Sequence, residues 1–185
     1  MSTSSDAPPA FAAAMLSEAT ALLRRGVLLP ARGEDAANLG LFLTRGLGLE
    51  PAYLEERVQT LLRNGLAVDD FAVPLAAGDR LALSAAMPGV AGAALRRGGW
   101  YAAMRAGITQ RPDNAPSVPS APAGATVWIE LRCFNSIAED LAGHLLRRGL
   151  AARPDDVGPS LRRLATAPPA GPALPEPALL WLMAC

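Results

Sequence analysis

Thr126-Val127-Trp128-Ile129-Glu130-Leu131-Arg132-Cys133-Phe134 is the stretch on which the fold turns. Val127, Ile129, Leu131 and Cys133 fall on one face. Trp128, Glu130, Arg132 and Phe134 fall on the other. Strict alternation of this kind predicts a strand with one buried face. Ser136 and Glu139 then stand at capping-box spacing and predict a helix from 136 to Arg148, stopped by Gly149. A strand leading directly into an amphipathic helix places the chain among mixed α and β folds.

Working outward, Val58 to Arg63 reads as a strand that meets Asn64-Gly65, the dipeptide best suited to a two-residue hairpin turn. Leu66 to Val68 returns from it. Gly78-Asp79 marks another turn, and Arg80 to Ala85 alternates with Leu81 and Leu83 on one face. Asp69-Asp70 and Asp79 follow turns, where Asp sits for backbone reasons, so they are read as turn residues and not as paired catalytic carboxylates. Upstream, Phe11, Met15, Ala19 and Leu22 give a helix over Phe11 to Arg25 with Gly26 as its stop. Glu34-Asp35 opens a second helix ending near Gly46 or Gly48, with Leu39, Phe42 and Leu43 buried. Pro51 starts a short third helix. Downstream, a helix is expected over Val157 to Ala165. Ala178 to Ala184 is apolar on both faces and reads as a strand buried between layers or against a partner subunit. Residues 1–9 read as a disordered start and 111–124 as a Pro/Ser-rich linker or loop. The expected organisation is 10–110 as helices plus a hairpin region, and 125–185 as strand–helix–helix–strand on the same core.

Composition narrows the class. The 185 residues are 51% hydrophobic and 18% charged, with 5% aromatics, so the core is aliphatic. All 17 basic residues are Arg, balanced by 17 Asp and Glu. No run of like charge is long enough for a nucleic-acid stripe, and no apolar run would span a membrane. Neither partner is expected. The polar start, Met1 to Asp6, lacks a positively charged signal region, so a cytoplasmic location is expected. The two cysteines, Cys133 and Cys185, and the single His144 do not make up a zinc set, and no metal or cofactor is expected. Cys133 shares a face with Val127, Ile129 and Leu131 and reads as a core thiol. His144 lies near a helix end, where its charge suits the dipole.

LLRRG occurs twice, at Leu22–Gly26 and Leu145–Gly149, each followed by an aliphatic residue and then an acidic pair. Two readings stand: a duplicated unit about a local twofold axis, or chance recurrence in a chain rich in Leu and Arg.

Residues 58–89 resemble the second half of the β-grasp sulfur carriers, the small subunit of molybdopterin synthase and the thiamine-pathway carrier. The matching residues are Asn64, Gly65, Val68, Asp69, Asp70, Leu75, Gly78, Asp79, Leu81 and Leu83. The resemblance implies an α+β fold: a small mixed sheet, β-grasp-like (ubiquitin-like), covered by helices. It also implies use of a sheet face or edge toward a partner. Carrier chemistry needs glycines at the free C-terminus, whereas this chain ends in Trp181-Leu182-Met183-Ala184-Cys185. The pair Gly98-Gly99 is internal, although Leu95-Arg96-Arg97 before it resembles the tail of ubiquitin.

The remaining chemistry gathers in 87–105. Arg96, Arg97, Gly98, Gly99, Trp100, Tyr101 and Arg105 are the candidate ligand-binding residues. Glycines let backbone N–H groups approach an anion, guanidinium adds paired donors, and the aromatics suit stacking. The spacing matches neither nucleotide fingerprint. No catalytic residue is assigned. The expected function is a non-enzymatic binding or protein-interaction protein, with a protein partner or a second copy of the chain bound. The alternative is an accessory protein binding a small anion or nucleotide through 87–105.

Overall fold

Two glycines set the architecture. Helix α1 (Ala13–Arg25) ends at Gly26, whose N–H donates to Leu22 O at 3.0 Å, and the chain turns directly into strand β1 (Val27–Arg32). Gly149 closes helix α5 (Ser136–Arg148) in the same way, through Leu145 O at 3.0 Å, and opens strand β6 (Leu150–Ala152). Both glycines have positive φ, 124° and 89°, which L side chains rarely adopt.

The computed structural model describes residues 11–110, 126–168, 174–175 and 178–184. The expected disordered start at 1–9, the linker at 111–124, most of the second Pro-rich stretch and Cys185 lie outside the described residues. Among these residues the remaining elements are α2 (Leu39–Leu41), α3 (Pro51–Glu56), β2 (Thr60–Arg63), β3 (Leu66–Ala67), β4 (Arg80–Ser84), α4 (Gly89–Leu95), β5 (Thr126–Phe134), α6 (Pro159–Arg162), β7 (Ala165–Thr166) and β8 (Leu180–Leu182). Short 3-10 turns, one longer 3-10 run and one π turn connect them.

All strands join one mixed eight-stranded sheet in the order β3-β2-β4-β5-β1-β6-β8-β7. The fold is therefore α+β, but its sheet is large, not small. Its size follows from β5, whose nine residues hold β1 antiparallel on one side and β4 parallel on the other. Val127, Ile129, Leu131 and Cys133 are buried, as their alternation predicts, and join Val27, Leu29 and Ala31 of β1 under α1 and α5. The opposite face carries a smaller cluster of Leu28, Trp128, Ala151, Leu179 and Trp181. The two indoles meet edge to face, with centroids 6.4 Å apart. Leu182 packs in the main core and Trp181 in the second cluster, so β8 is buried on both faces.

A local twofold relates the two LLRRG units. The residue pair joining β1 to β6 is Leu28 and Ala151. These two are separated by the same sequence offset that separates Leu22 from Leu145. In an antiparallel pair, equivalent residues face each other only where a twofold axis passes between them. The sheet extends this relation. β5 flanks β1 and β8 flanks β6, both antiparallel, and β4 and β7 lie outside them. The symmetry breaks at the next step, because β4 runs parallel to β5 whereas β7 runs antiparallel to β8.

Several local expectations are corrected. Glu34-Asp35 forms only a 3-10 turn (Gly33–Ala36), because Asn38 is extended at φ −153° and restarts the helix, its Oδ1 accepting from Leu41 N at 2.9 Å. Leu39, Phe42 and Leu43 are nevertheless fully buried. The capping box does not form. Asn135 precedes the helix at φ 53° with its amide donating to Ser84 Oγ, and Glu139 turns outward to Arg24. The helix expected over Val157 to Ala165 shortens to α6, since Gly158 is held extended ahead of Pro159. In α6's place as a longer helix, Glu18 receives the N–H groups of Ser160 and Leu161 at 3.0 Å. Those bonds outweigh the opposing effect of burial and hold the Glu18 carboxyl below its ordinary range.

Candidate functional site

The segment from Met87 to Gln110 leaves the sheet after β4 and returns to it at Gln110, whose N–H donates to Ala67 O at 2.8 Å. It consists of α4 and a 3-10 run, Trp100–Ile108. Gly92 lets α4 fold back on Met87, because a Cβ there would collide with the Met87 backbone. Gly98, at φ 58°, turns the chain between the two elements.

The seven residues singled out in this segment separate into two groups. Arg105 points inward and is 5% exposed. Its two terminal nitrogens grip Asp69 at 2.9 and 2.8 Å. Nε donates to Ala94 O at 2.6 Å, Nη1 to Thr109 Oγ1 at 2.7 Å and Nη2 to Arg96 O at 3.1 Å. A guanidinium has five N–H donors, and here each has an acceptor. Arg105 is therefore a clamp within the chain, fixing α4 and the 3-10 run onto the β3 turn. We expect Arg105→Gln to loosen this segment rather than unfold the sheet. Tryptic cleavage at Arg96 or Arg97 should accelerate about tenfold, the equivalent of about 1.4 kcal/mol of local opening. An unchanged cleavage rate would refute the clamp.

Arg97 stacks on Phe71, with its guanidinium carbon 4.3 Å from the ring centroid. Its backbone N–H donates to Gln59 O at 2.8 Å, while Nη1 is buried without a hydrogen-bond partner. Burial lowers its pKa, opposed by the charges of Asp69 and Glu55. Arg96 and Gly98 are exposed and Gly99 packs against Arg96. Trp100 is 91% exposed, and Tyr101 lies beside it half-exposed. Four cavities among the described residues take their walls from other elements.

Elsewhere the turn carboxylates part ways. Asp70 accepts from Ala72 N at 2.8 Å, an ordinary turn bond. Asp79 is buried and accepts from Arg63 Nε at 2.7 Å, Asn64 Nδ2 at 2.7 Å and Ala76 N at 2.8 Å. Arg63, 1% exposed, also reaches Gln110 Oε1 at 3.3 Å. Nothing local to Arg63 marks it as interior; only the pairing of β2 with β4 brings it to Asp79. His144 Nε2 lies 2.6 Å from Leu47 O and so acts as a donor to that carbonyl. The Cys133 thiol is core, and burial pushes its pKa up to about 12. Among the described residues, no three His, Cys, Asp or Glu side chains gather as a metal-binding group, and no helix is long and apolar enough to cross a membrane.

Comparison of the chain with protein-family models, with curated proteins and with solved structures finds no match.

Proposed function

We propose that the chain is a non-catalytic binding protein that docks a protein partner through α4 and the 3-10 run that follows it. The observation that carries this reading is the exposure of Trp100 at 91%, with Val90 at 83% and Met104 at 81% on the same two packed elements. Single exposed apolar residues are ordinary, but a tryptophan grouped with aliphatic neighbours is the composition of an interface anchor. Arg105 supports the reading from beneath by holding the segment rigid, which lowers the ordering cost of binding. The complementary surface is an apolar pocket for Trp100 with an acidic rim facing the exposed Arg96. The anion-binding reading of 87–105 is left with Arg96 and Arg97, because Arg105 is engaged within the chain. Residues 58–89 supply a ubiquitin-like element in this proposal. Its support is the Asn64-Gly65 hairpin, with φ of 53° and 84°, and the Gly78-Asp79 turn, with Gly78 at 80°.

The test compares wild-type chain with Trp100→Glu and Trp128→Phe in quantitative pull-downs from source cells, alongside sedimentation of the purified proteins. A partner enriched by wild type and Trp128→Phe, and reduced at least tenfold by Trp100→Glu, is the expected result; the loss of a central aromatic anchor costs about 2 kcal/mol or more. Equal recovery with Trp100→Glu would sink the proposal. A wild-type dimer that Trp100→Glu abolishes would identify the partner as a second copy.

A further inference from the structure

The local twofold exchanges two cavities. One, about 160 Å³, has Arg25, Gly26, Ala152, Arg153 and Asp156 in its wall. The other, about 470 Å³, has Arg148, Gly149, Leu29, Pro30 and Arg32. The offset that relates the LLRRG units carries Arg25 onto Arg148, Gly26 onto Gly149, Ala152 onto Leu29 and Arg153 onto Pro30. Each cavity sits where a repeated helix ends and its strand begins.

The electrostatics of the pair have diverged. In the smaller cavity Arg25 meets Asp156 at 3.5 Å, and Glu130 stands in the same wall. In the larger, Arg32, Arg147 and Arg148 all contribute, against one carboxylate, Asp35, which is itself 3.5 Å from Arg45. Arg148 is held in place by backbone carbonyls, with Nη2 donating to Gly46 O at 2.5 Å and Arg45 O at 3.4 Å. Arg147 lies over the Phe11 ring at 5.4 Å. Neither contact neutralises a guanidinium. The exposed Arg32 side chain has no hydrogen bond or ion pair among the described residues, although its backbone pairs with Thr126 in the sheet.

A second observation points the same way. Trp181 is 3% exposed, lines the larger cavity, and its Nε1 has no hydrogen-bond partner. Its Cε2–Cζ2 edge, adjoining Nε1, lies over Gly149, where a Cβ would stand only 2.8 Å from Cε2. An indole N–H can only donate, so the absent partner is an acceptor. Buried polar groups are ordinarily satisfied, and this orphan belongs to a side chain in the wall of the cationic cavity.

We propose that this cavity binds the oxyanion group of a small organic molecule, a phosphate monoester or a carboxylate. Arg32 and Arg148 face the charge, the Trp181 N–H donates to it, and the half-buried Pro30 offers an apolar surface beside it. Its volume lies within the range of about 300–1,000 Å³ usual for small-molecule sites. This inference stands apart from the Trp100 surface, and either can fail without the other.

The experiment is a titration of the full chain with phenyl phosphate, benzoate and benzylamine, followed by the indole N–H resonance of Trp181, assigned with Trp181→Phe. Movement of that resonance with at least one anion, and none with the cation, is the expected result; the tighter of the two anions identifies the oxyanion. Arg32→Gln should weaken binding about tenfold, as loss of a charge-assisted contact does. Arg25→Gln, its control in the other cavity, should leave affinity within about twofold, since that site is already neutralised. Arg148→Gln should act like Arg32→Gln, and Arg32→Gln alone decides if removing the Arg148 contacts prevents folding. A Trp181 resonance unmoved by about 20 mM of either anion, a range that covers weak small-ligand affinities, overturns the proposal. So does equal weakening by Arg25→Gln.

Discussion

Asp79→Ala is expected to destabilise the protein by about 3–5 kcal/mol, the range for breaking one side of a buried ion pair. Arg63 and Asp79 are 1% and 4% exposed, and their contact is 2.7 Å. Removing the carboxylate strands a guanidinium in the interior with Gln110 Oε1, at 3.3 Å, as its remaining acceptor. It also frees Asn64 Nδ2 and Ala76 N, which both donate to Asp79. The damage therefore reaches two turns at once, because Asn64 Oδ1 in addition accepts from Arg80 N at 2.9 Å. Urea denaturation followed by far-UV circular dichroism measures the loss. The double change Arg63→Met, Asp79→Leu should recover much of it, since an apolar pair of similar volume avoids the desolvation cost. A loss below about 1 kcal/mol for Asp79→Ala would mean that the pair is solvated, as exposed pairs are.

Gly149→Ala should follow at about 2–4 kcal/mol, combining backbone strain with overpacking. At φ 89° the new Cβ meets the Trp181 ring, which is itself buried against Trp128 and cannot swing away. Gly26→Ala is the internal comparison. Its φ is 124°, yet its Cβ would meet the Glu130 carboxylate at 2.9 Å and the Arg132 side chain at 3.3 Å, both flexible. About 1–2 kcal/mol of strain is expected there, with little overpacking. Thermal unfolding of both variants checks the order. Equal losses at the two sites would show that Trp181 yields, and that backbone conformation alone sets the cost.

The two positions also show how far local pattern reaches. Leu-Leu-Arg-Arg-Gly predicts a helix ending at glycine in both copies, and both helices end so. That one glycine faces movable side chains and the other an indole depends on which strand lies alongside, β5 or β8. The same limit applies to Arg105. Its sequence neighbours, two glycines and two aromatics, suggest a ligand site. Its five acceptors include Asp69, which lies on the far side of the hairpin. Arg148 and Trp181, by contrast, read locally as a helix terminus and a buried strand. The repeat was the available signal for the cavity they share, and its meaning depends on the Leu28–Ala151 pairing.

Period and turn chemistry by themselves determined the existence and type of the main elements: β5 from its alternation, the Asn64-Gly65 hairpin, α1 and α5 with their terminal glycines, and Cys133 in the core. These properties depend on residues a few positions apart, so they are written locally. Tertiary structure alone decided the eight-stranded order, the twofold between the LLRRG units, the burial of Arg63, and which arginines are neutralised. A guanidinium looks the same in sequence whether a carboxylate faces it or not. Charge, unlike hydrophobic period, takes its meaning from the groups that distant parts of the chain bring within a few ångströms.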